Sequence, residues 1–153
     1  MLTVGDKAPD FDMATDGAGR VALKALKGKT IVLYFYPKDD TSGCTAQACA
    51  FRDALPDFTK ATAAVIGVSK DGTSSHDRFK QKHELTFTLA SDTDGSVSEA
   101  YGTWVQKSMY GRTYMGMERS TFLIDGKGVI RQIWRKVKVK GHVDAVLAAV
   151  RAL

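Results

Sequence analysis

Sulfur nucleophiles are scarce in this chain, which holds two cysteines, Cys44 and Cys49, among 153 residues. Two thiols cannot build the disulfide framework of a small secreted domain. Histidine is nearly as scarce, with only His76, His83 and His142, whereas a zinc site needs about four nitrogen or sulfur ligands. His76 and His83 would stand about 10.5 Å apart along a helix, too far to share one ion. No metal or cofactor is therefore expected, and the histidines read as surface residues. No apolar run approaches the about 18 residues of a membrane span. The opening MLTVGDKAPDF has no basic region leading into a long apolar stretch, so the expectation is a cytoplasmic protein with no membrane partner. In such reducing surroundings a close thiol pair points to redox chemistry rather than a structural staple. Repeats, low-complexity tracts and linkers are also missing, and residues 1–153 read as one domain large enough to bury its own core.

Acidic residues are outnumbered, 17 to 22, giving a net charge of +5. Much of the excess lies in RQIWRKVKVK, residues 131–140, where Val137 and Val139 alternate with lysines as on a half-exposed strand. A solvated strand face accounts for this pattern. No nucleic-acid recognition motif accompanies it, so no nucleic-acid partner is expected.

The apolar elements come in a defined order. KTIVLYFYP (29–37) is a continuous β-branched and aromatic run, the pattern of a strand buried on both faces at the centre of a sheet. A polar loop follows, then a helical pattern from Ser42 to Cys44 onward that carries Ala48, Phe51 and Leu55, with Pro56 expected to end or kink it. AAVIGVSKD reads as a second buried strand, Ser74 opens a helix, and TFTLASD is a short strand. STFLIDGKGVIRQIW forms two strands joined at 125–128, and Val143, Val146, Leu147 and Val150 mark one face of a last helix. Alternating strands and helices followed by a hairpin and a helix indicate an α/β sandwich with a mixed sheet.

Cys44 stands where the central strand gives way to a helix. Unpaired N–H groups and the positive end of the helix dipole lie beside its sulfur and favour the thiolate, the reactive form. Cys49 follows five positions later, so on an intact helix the two Cα atoms are roughly 8 to 9 Å apart, beyond the about 7 Å limit for a disulfide. Joining them requires the helix start to unwind. A thioredoxin-type dithiol would have two residues between its cysteines, and this chain has four. The spacing suits a scheme in which a small molecule oxidises one sulfur and the second resolves the product.

PKDDTSGC has the form Pro-x-x-x-Thr-x-x-Cys, which resembles the active-site signature of the peroxiredoxins, thiol peroxidases on a thioredoxin-like fold. The cysteine five positions on resembles the peroxiredoxin Q class, also called bacterioferritin comigratory protein. VGDKAPDF, GCTAQACAFRD and ERSTFLID resemble that family's opening, helix and arginine-bearing strand, in matching order over nearly the whole chain. The resemblance implies a thioredoxin-like α/β fold with a central mixed β-sheet flanked by helices. It implies that Cys44 is the peroxidatic cysteine, that the Thr41 hydroxyl contacts sulfur and peroxide, that Pro37 shields the site, and that Arg119 stands near the thiolate. Cys49 is the sole internal candidate for the resolving cysteine. Gln47 stands where other classes carry Glu. The implied substrates are hydrogen peroxide and organic hydroperoxides, the implied reductant is thioredoxin or a similar dithiol, and the implied state is a monomer. KSMYGRTYMGM, residues 107–117, reads as a loop over the core, or as an apolar collar that admits alkyl hydroperoxides or the reductant. Two other functions fit the residues: a thiol-disulfide oxidoreductase, and a redox-sensing or nucleic-acid-binding module.

Overall fold

The computed structural model describes residues 1–153. Nine strands form in chain order: β1 (Asp12–Thr15), β2 (Arg20–Ala22), β3 (Thr30–Phe35), β4 (Ala63–Ser69), β5 (Thr88–Ser91), β6 (Trp104–Met109), β7 (Arg112–Met117), β8 (Ser120–Ile124) and β9 (Ile130–Trp134). Four helices are interleaved with them: α1 (Ser42–Lys60), α2 (Thr73–His83), α3 (Ser96–Ala100) and α4 (His142–Arg151). Seven strands make one sheet in the order β2-β1-β5-β4-β3-β8-β9. β3–β4 and β4–β5 are parallel, while β3–β8, β8–β9, β1–β5 and β1–β2 are antiparallel, so the sheet is mixed as expected.

The period-2 geometry of a strand explains why β3 is apolar throughout. Val32 and Tyr34 point into a core beneath α1, α2 and α4, whereas Ile31, Leu33 and Phe35 enter a second core on the other face with Phe122, Tyr101 and Met117. β3 is interior, between β4 and β8, but β4 rather than β3 is the middle strand of the seven. The Tyr34 ring lies flat over Gly67, where a Cβ would come within 2.8 Å of the ring, and stacks on Phe51 with centroids 4.6 Å apart. Fully buried side chains of this size each contribute about 1.5–3 kcal/mol of hydrophobic stabilisation, and this stack ties α1 to the sheet.

Three expectations need correcting. α1 does not end at Pro56 but runs through it to Lys60. Phe51 and Phe58, one on each side of the proline, are both fully buried, and that packing outweighs the one lost N–H bond at an exposed position. The basic run does not continue as a strand, since β9 stops at Trp134 and the Val137 N–H donates to the Arg119 carbonyl at 3.0 Å. The lysines there are exposed and the valines half-buried without a ladder. Finally, residues 104–117 are a hairpin, not a loop. Tyr110 at φ 52° and Gly111 at φ 77° place two left-handed residues at its tip, the pattern of a type I′ turn, reached here by Tyr-Gly instead of the usual Asn-Gly.

Candidate active site

β3 delivers the chain to the site. Beyond Phe35 the Tyr36 N–H still bonds the Val68 carbonyl, Pro37 begins a bend, and α1 starts at Ser42. Thr41 occupies the N-cap position with extended backbone, but its hydroxyl donates to the Lys38 carbonyl at 2.8 Å and caps nothing. The first-turn N–H groups of Gly43 and Cys44 therefore stay open, and Cys44, 2% exposed, lies in their field. Since the Thr41 donor is taken by Lys38, it does not reach the sulfur as the sequence suggested. Its lone pairs remain available to accept a proton-side hydrogen bond. Pro37 is exposed at the mouth of the same loop.

Arg119 arrives from the other side of β3, in the link between β7 and β8, and β8 pairs antiparallel with β3. Its Nη2 donates to Cys44 Sγ at 3.4 Å and its Nη1 to Gln47 Oε1 at 2.7 Å. Gln47 lies one helical turn beyond Cys44 and is fully buried, so both guanidinium contacts come from one face of α1. No carboxylate forms an ion pair with Arg119. The orienting group is a neutral amide, and the positive charge is left for the sulfur. Gly43 makes the approach possible, because a Cβ there would stand 3.2 Å from Arg119 Nη2. Sequence reasoning singled out Gln47 only as a missing acid and counted Gly43 only among the unpaired N–H groups at the helix start, not for the room its missing side chain leaves. A glycine one residue before a cysteine at a helix start was the available signal.

The histidines are not surface residues as a class. His76 is fully buried and His142 is 6% exposed. His142 Nε2 pairs with Thr121 Oγ1 at 2.7 Å, and burial together with the Arg119 charge lowers the ring to about 4, so it is neutral at ordinary pH. His76 contacts Asp39 at 2.7 Å through Nδ1 and the Ala90 carbonyl at 2.9 Å through Nε2. No group of three or more metal-binding side chains assembles anywhere.

Cys49 is half-buried on the same intact α1, and both thiols are free. A cavity of about 460 Å³ is lined by Lys107, Tyr114, Glu118, Arg119, Lys136 and Val137, and Cys44 is not among its lining residues. A second, of about 490 Å³, lies at Lys7, Leu23, Ile31 and Gly126, by the opposite end of β3 from Cys44. Met115, Tyr114 and Tyr110 are exposed on the hairpin, but Met117 is buried and takes a hydrogen bond from Thr103, so Met117 is core and not collar. No helix is long and apolar enough to cross a membrane.

These features meet known proteins at every level. The AhpC/TSA family pattern matches residues 4–133. A Coxiella burnetii chain assigned the name peroxiredoxin bcp is 53% identical over 146 residues, covering 95% of this chain and 97% of its own length. The Bacillus subtilis peroxiredoxin Bcp is 48% identical, covering 98% and 96%. A solved structure of the Xanthomonas campestris bacterioferritin comigratory protein, concerned with its alkyl peroxide reduction activity, superposes with a TM-score of 0.90 at 45% identity, covering 93% of this chain and 90% of that one. The thioredoxin-fold layout is thus confirmed by sequence and structure together, and the chain belongs to the AhpC/TSA family, where it stands with the peroxiredoxins called Bcp.

Proposed function

We propose that the protein is a thiol peroxidase in which Cys44 is the peroxidatic nucleophile and Cys49 the resolving one. The observation that carries this reading is the unpaired Arg119 guanidinium 3.4 Å from the Cys44 sulfur at an uncapped helix start. The sulfur anion attacks one oxygen of the peroxide, the O–O bond breaks, and the other oxygen leaves as water or alcohol after taking up a proton. Arg119 and the open Gly43 and Cys44 amides stabilise the charge that builds on the leaving oxygen. Thr41 accepts the peroxide's hydrogen bond, and Pro37 shapes and shields the mouth. The Cys44 sulfenic acid then condenses with the Cys49 thiol, releasing water and forming an intramolecular disulfide. A dithiol reductant, for which thioredoxin is our assignment, returns both thiols.

The alkyl peroxide reduction activity of the Xanthomonas campestris relative supports organic hydroperoxides beside hydrogen peroxide as substrates. We assign the protein to the cytoplasm as a single-domain monomer without nucleic-acid partners. A thioredoxin-coupled peroxide assay tests the scheme. Cys44→Ser abolishes turnover, while Cys49→Ser completes one round and then stops. Steady cycling by Cys49→Ser contradicts the resolving role, and insulin reduction without peroxide consumption supports the thiol-disulfide alternative.

A further inference from the structure

The loop between β3 and α1 is fastened to α2 by two consecutive aspartates. Asp40, exposed and left-handed at φ 60°, meets Lys82 Nζ at 2.8 Å and His83 Nε2 at 2.9 Å. Exposed pairs of this kind hold little. Asp39 is different. Its carboxylate is buried and accepts from Tyr36 Oη at 2.5 Å, Ser75 Oγ at 2.8 Å and His76 Nδ1 at 2.7 Å, while its own N–H donates to Asp71 Oδ2 at 2.9 Å.

Both ring nitrogens of the fully buried His76 face acceptors, the Asp39 carboxylate on one side and the Ala90 carbonyl on the other. Filling both contacts requires a proton on each nitrogen, so the ring is an imidazolium. The other charged or titratable groups around it are Asp71, whose carboxylate is held by Ser69 and the Asp39 N–H, and Tyr36 from the end of β3. All are acidic. Burial pulls the ring down, but the Asp39 hydrogen bond and charge, with smaller help from Ala90 and Asp71, hold it above the ordinary histidine range.

We propose that His76, acting through Asp39, is a positioning residue that latches the Pro37–Thr41 loop and keeps α1 wound until Cys44 has reacted. The inference rests on the peroxidase reading above. A Cys44–Cys49 disulfide needs the first turns of α1 to unwind, because on the helix the two Cα atoms exceed bonding reach. The loop that feeds that turn is pinned at Asp39, and the buried pair opposes unwinding. A firm latch prolongs the sulfenic acid, and a second peroxide can then transfer an oxygen to that sulfur, leaving sulfinic acid and water. A released latch favours the disulfide. As pH rises through the His76 titration the ring loses one proton, one of its two contacts becomes acceptor against acceptor, and the latch weakens.

Rapid-mixing fluorescence on the full protein, with mass analysis of quenched samples, separates Cys44 oxidation from disulfide formation. His76→Gln is expected to speed the second phase about tenfold near about pH 6, the loss of one charge-assisted contact, and to change the first phase by less than about twofold. The ratio of variant to wild type then closes towards one as the pH climbs through the His76 titration, above the ordinary histidine value. Ionisation of the thiols is common to both proteins and cancels in that ratio. The variant should also need more peroxide to reach sulfinic acid. An unchanged second phase, or a ratio flat in pH, overturns the latch, whereas loss of the first phase in wild type overturns the peroxidase reading instead. Independently of any variant, hydrogen exchange of the α1 amides of residues 45–49, whose bonds begin with Thr45 N–H to the Thr41 carbonyl, quickens in the wild-type protein over the same pH range once corrected for its intrinsic pH dependence. Protection that stays constant contradicts the proposal.

Discussion

His76 and His142 are both buried in the first turn of a helix, where the dipole disfavours a positive ring, yet they are held in opposite charge states. The difference lies in what each ring faces. His76 meets an aspartate that has no other cationic partner, and His142 lies in the field of an arginine that has no acidic partner. Burial pulls both rings down; Asp39 overcomes it at His76, whereas the Arg119 charge adds to it at His142. The contrast divides the surroundings of Cys44 into a matched wall, where Asp39 and His76 satisfy one another and fix the loop, and an unmatched wall, where Arg119 keeps its charge available to the sulfur.

Removing the unmatched charge should have the largest effect. Arg119→Leu is expected to slow oxidation of Cys44 by peroxide about a hundredfold, the usual loss for one transition-state donor. The same substitution should move the His142 titration up from about 4, but only part of the way, because burial, the larger cause, remains. Stopped-flow oxidation and ring resonances followed through pH measure both. An unmoved His142 would mean that Arg119 does not set the charge of that wall. Gly43→Ala displaces the guanidinium without deleting it and should cost about tenfold in the same rate, with little change in thermal stability.

Stability against pH gives the smaller and oppositely signed test. The folded-state value of His76 is raised, so its contribution is complete below the ordinary histidine value of about 6.5 and is lost as pH climbs through the folded value. The folded-state value of His142 is depressed, so its contribution is complete above about 6.5 and is lost as pH falls to about 4. Urea midpoints across pH should therefore show His76→Gln flattening the alkaline side and His142→Gln the acid side. Midpoint curves altered at the same end would erase the contrast.

Much of this was legible before the fold was known. The apolar run at 29–37, the cysteine after it and the arginine in ERSTFLID specify a strand, a helix start and a cation that β3–β8 pairing brings together. Local chemistry carried those elements. The hairpin at 104–117 was hidden because its turn uses Tyr-Gly and its strands are largely exposed, which leaves no apolar alternation to detect. The continuation of α1 through Pro56 depends on where Phe51 and Phe58 are buried, a tertiary effect that overrides propensity. His76 and Asp39 stand 37 positions apart, and no periodicity announces a buried pair at that distance. Thr41 and Pro37 lie in the link between β3 and α1, but the hydroxyl's choice of Lys38 over the sulfur is settled by turn geometry that spacing does not encode.

The most direct test of the account is to treat the reduced protein with one equivalent of hydrogen peroxide in the presence of a sulfenic-acid trap and locate the modified sulfur by peptide mass. The account predicts a Cys44–Cys49 disulfide in the wild type, trapped sulfenic acid on Cys44 in Cys49→Ser, and no rapid reaction in Cys44→Ser. Rapid oxidation of Cys49 in the absence of the Cys44 thiol would contradict it.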